Sequence, residues 1–251
     1  MTAQGAERLR AMHHGQRPLV LPNAWDPVSA RAFADAGFAA VATSSAAIAA
    51  TLGYADGQTP AAQMRAAVAA IASAVDVPVT ADVEDGYGMP PAELADRLLA
   101  AGLAGCNLED SDPAARTLAD PGAQADFLAA VRAVAGQELV INARVDVFVR
   151  PSPGGDSAVE RAVQRGRAYL AAGADCVYPI LAPADDLARL VREIAGPVNA
   201  MQHAGGPSLA ELAALGVARI SFGGGLHRQA AQYVAEMATA LAAQDAALGG
   251  S

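Results

Sequence analysis

Eight times along this chain a short apolar or β-branched run gives way to a longer segment whose apolar residues recur at helical spacing. The short runs fall at about 19–21, 39–43, 77–81, 105–108, 139–143, 176–178, 198–200 and 218–221. The helical segments follow at 27–36, 60–74, 91–101, 123–135, 157–172, 184–194, 208–215 and 226–241. Gly37, Gly102, Gly173 and Gly216 close four of these helices just before a strand begins. Pro27, Pro60, Pro91 and Pro183 open others. Strict alternation of this kind predicts parallel strands joined by crossover helices. Eight units predict an α/β fold of one domain, residues 1–251, closed as a (β/α)8 TIM barrel. Reactive groups of such a barrel belong at the C-terminal ends of its strands.

Those ends are where this chain keeps its chemistry. The third strand runs into Asp82, Glu84 and Asp85 within VPVTADVEDGYG, and the fourth into Glu109 and Asp110 within NLED. Crowded, half-buried carboxylates are costly unless a cation compensates them. Oxygen ligands favour a hard divalent ion, Mg²⁺ or equally Mn²⁺. Other strand ends supply Asn23, Trp25 and Asp26, then Ser44 and Ser45, then Arg144 and Asp146, then Asn199. Two top loops are long: 110–122 has the composition of a mobile lid, and 150–156 is rich in Pro and Gly.

Composition removes several classes of function. Net charge is −9 with no basic stripe, which argues against nucleic acid as a partner. No apolar run reaches about 18 residues, so no membrane helix is expected, and the polar start, 1–10, does not read as a signal peptide. Cys106 and Cys176 fall in predicted strands and read as buried thiols, with cytoplasm the expected location. All 17 basic residues are arginine. Without a lysine the chain cannot form a Schiff base, hold pyridoxal phosphate covalently or build a Walker-type phosphate loop.

The segments LPNAWDPVSA, ATSSAAIAATLGYADG, ADVEDGYG, NLEDSD, INARVDVF and PVNAMQH, in this order, resemble the isocitrate lyase / phosphoenolpyruvate mutase superfamily. The likeness runs from about Pro18 to Tyr233. It implies a Mg²⁺ enzyme that makes or breaks a C–C or C–P bond beside a carboxylate, through a pyruvate-like enolate. Carried over residue by residue, it implies Asp82 as the direct metal ligand, with Glu84 and Glu109 as outer ligands through water and Asp56 as a further acid near the metal. The Ser44-Ser45-Ala46 turn corresponds to a loop holding the substrate carboxylate, Arg144 to an arginine clamping the substrate's oxygens, and Asn199 to a polar residue of the seventh strand. The likeness also implies a homodimer or homotetramer that exchanges its C-terminal helix.

Departures from the family pattern are equally plain. The lid lacks the Lys-Lys-Cys-Gly-His run of the lyases and the lysine of the mutases, and the sixth strand ends Tyr178-Pro179-Ile180 where many relatives carry Glu or His. With the usual proton donor missing, His203 is the remaining acid/base candidate. Trp25 reads equally as packing or as substrate wall, and Tyr87 equally as packing or as a hydroxyl donor to the substrate. Asp26 reads as a helix cap, Asp85 as a turn residue, and His13, His14 and His227 as surface or cap residues. The expected function is a Mg²⁺-dependent carbon–carbon lyase, or the reverse condensation, on a small 2-oxo or 2-hydroxy carboxylate. The alternatives are a C–P bond enzyme acting on a phosphonopyruvate-like substrate and a barrel that binds a metal and a carboxylate without turnover.

Overall fold

The structure, a computed structural model, describes residues 2–112, 117–150 and 156–248. Among these described residues eleven strands and ten helices are formed. The strands are β1 (Leu19–Leu21), β2 (Asn23–Ala24), β3 (Val41–Thr43), β4 (Val79–Asp82), β5 (Gly105–Glu109), β6 (Ser111–Asp112), β7 (Thr117–Leu118), β8 (Val140–Val145), β9 (Cys176–Pro179), β10 (Asn199–Met201) and β11 (Arg219–Ser221). The helices are α1 (Thr2–Met12), α2 (Pro27–Asp35), α3 (Ser45–Leu52), α4 (Ala61–Ala72), α5 (Pro91–Ala100), α6 (Pro121–Ala135), α7 (Ala158–Ala171), α8 (Ala184–Ile194), α9 (Leu209–Ala214) and α10 (Gly225–Leu248).

The parallel sheet closes on itself. One run has the order β2-β3-β4-β5-β8-β9 and the other β1-β11-β10. Pro22 alone separates β1 from β2, and a parallel bridge between Val177 and Val198 joins β9 to β10. Counting β1 and β2 as one strand gives the expected eight-stranded barrel. The eight predicted strands and their crossover helices are all present, with ends shifted by one to a few residues except for the last helix, which runs on past 241 to Leu248.

Two layers of burial hold the barrel. Outside, helix residues such as Ile48, Met64, Ile71, Leu94, Leu128, Leu190 and Ile194 pack onto the outward faces of the strands. Inside and below, α1 caps the bottom, with Ala6 and Leu9 set against Leu19, Leu21, Ala40, Ala42, Ala104 and Val140. A fully buried leucine such as Leu9 contributes about 2 kcal/mol. Gly105 is required beneath it: a Cβ there would lie 2.9 Å from Val140 O and 3.0 Å from both Leu9 Cδ2 and Thr80 Oγ1. Below the barrel, Asp175 takes Arg10 Nε (2.6 Å) and Ile141 N (2.8 Å) and pairs with Arg132, which tethers α1 and α6 to the start of β9.

Four features depart from the sequence reading. The polar start of the chain is the helix α1, whose apolar face was too short to stand out among charged residues. His13, expected at the surface or as a cap, does lie at the end of that helix with its Nδ1 on Leu9 O, but it is buried. Residues expected to form a turn after β3 begin α3, and the expected lid begins as a small antiparallel hairpin of β6 and β7. The tip of that lid, 113–116, most of the Pro/Gly-rich loop, 151–155, and the last residues, 249–251, lie outside the described residues.

Candidate active site

Strand β4 delivers Asp82 to the C-terminal mouth of the barrel, and its neighbours fix it there. Asp82 N donates to Thr43 Oγ1 (3.0 Å). Carboxylate oxygen Oδ2 accepts from Ser45 N (3.2 Å) and Ser45 Oγ (2.9 Å). Ser45 is the first residue of α3, so the carboxylate sits at the positive end of a helix. The other oxygen, Oδ1, is buried and has no hydrogen-bond partner among the described residues. An acceptor left in that state is costly, and a cation is the partner its charge calls for.

More carboxylates surround it. Glu84 adopts a left-handed backbone at φ 53°, a strained conformation for a side-chain-bearing residue, and its carbonyl accepts Glu109 N at 2.9 Å. That bond locks the ends of β4 and β5 together. Burial, reinforced by the charge of Asp82, pushes the Glu84 carboxyl up to about 7. Burial also pushes Glu109 up to about 8, against the pull of Arg144, whose Nη1 lies 2.6 Å from Glu109 Oε2. Asp56, on the loop after α3, is raised by partial burial and by Asp82. Asp56, Asp82, Glu84 and Glu109 therefore share one electrostatic field, and a bound cation would reverse the upward shifts.

The donor set is all oxygen, as Mg²⁺ or Mn²⁺ requires. Among the described residues no three acidic, His or Cys side chains converge into a ready-made cage. One direct ligand at Asp82, with Glu84 and Glu109 acting through water, would match the habit of Mg²⁺ to keep several of its waters. The residues present fit the ion in that form.

Arg144 joins this cluster with all three guanidinium nitrogens engaged. Nε and Nη2 grip both oxygens of Asp146 at 2.7 and 3.0 Å while Nη1 holds Glu109. Asp146 in turn accepts Ser111 Oγ at 2.6 Å. Beneath lies a second buried knot. Asp110 Oδ1 accepts Asp146 N (2.8 Å), and Oδ2 accepts Arg165 Nη1 (2.9 Å) and Tyr169 Oη (2.8 Å). Arg165 Nη2 also donates to Ala119 O at 2.9 Å, which ties α7 to the base of the β6–β7 hairpin. Sequence reasoning named Asp110 and Asp146 only as strand-end residues and missed Arg165 and Tyr169. The available signal was a charged residue interrupting the apolar face of α7.

Other predicted residues fall in different places. Ser44 is the N-cap of α3, its Oγ accepting Ala47 N at 3.3 Å, so Ser44-Ser45-Ala46 is a helix start and not a free turn. First-turn N–H groups such as that of Ala46 have no acceptor within the helix and remain available to an anion. Asn199 lies inside the barrel, bonded to Asn142 and Ser221, because it enters at the start of β10 and not at its end. His203 is exposed on the loop after β10, its ring nitrogen 3.1 Å from Ala204 O, apart from the carboxylate cluster. Trp25 packs edge-on against Phe33 and His227, at centroid distances of 6.3 and 5.2 Å. Tyr87 packs with Met64, Val68 and Leu94 between α4 and α5, its hydroxyl buried without a partner among the described residues. Asp26 caps α2 in a reciprocal bond with Ser29, and Asp85 accepts Tyr87 N at 2.8 Å, as expected of both.

Comparison with known proteins places this geometry. A family model described as phosphoenolpyruvate phosphomutase matches residues 9–242. An uncharacterized protein of Mycobacterium tuberculosis H37Rv is 38% identical over 84% of this chain and 80% of its own length. The 2-methylisocitrate lyase of Halalkalibacterium halodurans is 28% identical over 94% of this chain and 77% of its own. The solved phosphoenolpyruvate phosphomutase of Streptomyces platensis subsp. rosaceus superposes with a TM-score of 0.85 at 26% identity, covering 96% of this chain and 88% of that one. On these matches, and on the barrel that carries the acidic strand ends, the chain belongs to the phosphoenolpyruvate phosphomutase family, within the isocitrate lyase / phosphoenolpyruvate mutase superfamily.

Proposed function

We propose that this chain is a Mg²⁺-dependent carbon–carbon lyase, or catalyses the reverse aldol-type condensation, on a small 2-oxo or 2-hydroxy carboxylate by way of an enolate. The observation that carries the reading is Asp82: one carboxylate oxygen fixed by Ser45, the other buried and unpartnered, at the mouth of the barrel. Relatives bearing the names of lyases and mutases of small carboxylates support the reaction class. Asp82, with Glu84 and Glu109 through water, would hold Mg²⁺ or Mn²⁺, which would supply Lewis-acid stabilisation of the oxygen on which charge develops. Arg144 sets a positive charge beside that oxygen, and Asp146 fixes its orientation. The first turn of α3 offers N–H groups to the substrate carboxylate. Glu109 and Asp56 share the field of Asp82 and Arg144 within the cluster, which makes them stronger candidates than the exposed His203 for handling the proton.

The test is product formation from a panel of 2-hydroxy and 2-oxo acids with and without Mg²⁺. Metal-dependent release of a shorter 2-oxo acid supports the lyase reading. A second reading, C–P chemistry, is favoured by the description of the matching family model and opposed by the absence of lysine. Phosphate release from phosphonopyruvate would replace the first reading with it. Turnover of either kind would exclude a barrel that only binds. Assembly as a homodimer or homotetramer through exchange of α10 belongs to the same reading. Its support is the exposed apolar series Tyr233, Val234, Met237, Leu241 and Leu248, and sedimentation showing only monomer would remove it.

A further inference from the structure

The least expected side chain in this molecule is Arg219. It enters on β11, is fully buried, and lies inside the barrel. Its Nη2 donates to Asn107 Oδ1 at 3.2 Å, while Nε and Nη1 find no hydrogen-bond partner among the described residues. None of the ion pairs among the described residues includes it. Other buried arginines are paired: Arg144 with Glu109 and Asp146, Arg165 with Asp110. A guanidinium does not shed its proton inside a protein, so this one is a fixed, poorly screened positive charge.

Its surroundings show where that charge acts. The ionisable groups within its electrostatic reach include Cys106, Cys176, Tyr178, His13 and Asp82. Burial pushes both thiols and the phenol up to about 12 and His13 down to about 4, so these four are neutral at pH 7. Asp175, which also acts on His13 and both thiols, is already paired with Arg10 and Arg132, which leaves Asp82. Contact runs toward it through the strands: Arg219 holds Asn107, and Asn107 pairs in register with Asp82. Asn142 braces the same Asn107 oxygen at 2.8 Å and reaches Asn199 at 3.1 Å, so the layer under the acidic cluster is a rigid polar floor. An apolar side chain would fill this interior position more cheaply.

We propose that Arg219 is a positioning residue whose charge, fixed beneath Asp82, offsets part of the carboxylate cluster and weights the site toward an anionic ligand over the bare cation. This rests on the metal-and-carboxylate reading above. It makes opposite demands on two affinities, which a packing role does not. Removing the charge favours Mg²⁺ and disfavours an anion bound beside it, each on the order of tenfold for one unit charge across several ångströms of interior.

The experiment is calorimetric titration of the whole chain with Mg²⁺ alone, and with oxalate at saturating Mg²⁺, on wild type, R219M, R219K and N107D. Asn107→Asp places a carboxylate against Arg219 Nη2 without changing side-chain shape, and it carries the test if R219M does not fold. Expected are tighter Mg²⁺ and weaker oxalate binding in R219M and N107D, with R219K close to wild type. Both affinities falling together in R219M and N107D, or neither moving, would overturn the proposal. Absence of metal-dependent oxalate binding in the wild type would overturn the underlying reading, and this inference with it.

Discussion

Replacing Asp110 with alanine is predicted to cost the fold about 3–5 kcal/mol, the range for breaking a buried charged pair by removing one partner. Three donors converge on this carboxylate: Asp146 N, Arg165 Nη1 and Tyr169 Oη, all between 2.8 and 2.9 Å. Asp110 and Tyr169 are fully buried and Arg165 nearly so. The alanine variant would strand a guanidinium, a phenol and a backbone amide in one stroke. For a chain of this length the loss corresponds to a fall in Tm of about 6–20 °C. Urea unfolding of the metal-free protein at pH 7 measures it. Tyr169→Phe, which removes the bond donated to Asp110 and the 3.0 Å bond accepted from Arg165 Nη1, should cost at least about 1.5–3 kcal/mol. The double variant Asp110→Ala/Arg165→Met should recover part of the loss, because it removes the orphaned charge as well. A cost below about 1 kcal/mol for Asp110→Ala, or simple additivity in the double variant, would refute this account of the knot.

Three further outcomes are expected. Glu84→Gly should stabilise the metal-free chain by about 1 kcal/mol, since glycine takes φ 53° without strain, while weakening Mg²⁺ binding; chemical denaturation and calorimetry read the two effects separately. Ser45→Ala removes the 2.9 Å hydroxyl bond to Asp82 but keeps the backbone one, and should weaken Mg²⁺ by about tenfold in the same calorimetric assay. The third concerns pH. A carboxyl whose folded pKa exceeds its unfolded value binds its proton more tightly in the fold, so its contribution favours folding at low pH and is lost as pH rises. For Glu84 that window runs from 4.5 to about 7, and for Glu109 from 4.5 to about 8. Metal-free Tm, followed by differential scanning fluorimetry, should fall between pH 5 and 8, and Mg²⁺ should raise it more at pH 8 than at pH 5. A metal-free Tm that climbs across that range would contradict the assigned shifts.

The barrel was legible because two periods alternate without ambiguity: β-branched runs such as 139–143 against helical runs such as 184–194, with glycine at the joints. The acidic mouth was legible for a related reason. Carboxylates directly after a buried run, as at Asp82 and Glu109, have no place in a core and so mark an end that faces solvent or a ligand. Residues that serve through long-range contact were hidden. Arg165 lies 55 positions from Asp110 and Arg219 lies 112 from Asn107, and nothing local in either sequence context announces the partner. Asn199 was misplaced by depth: a strand of three residues puts its first residue inside the barrel and its last near the mouth, and periodicity does not resolve a shift of two. The exposure of His203 was not legible because a loop residue after a strand can turn outward as easily as inward. The helix α3 escaped notice because ATSSAAIAATL carries alanine on every side and so shows almost no apolar stripe.

The central claim is that Asp82 anchors a divalent cation that in turn holds a small carboxylate. Calorimetric titration with oxalate, which mimics an enolate of pyruvate, tests it directly on wild type and Asp82→Ala, each with and without Mg²⁺. The account predicts tight oxalate binding that requires both the metal and Asp82. Oxalate binding that is indifferent to Mg²⁺, or that survives loss of the Asp82 carboxylate, would contradict it and leave the acidic strand ends as structural elements of the barrel.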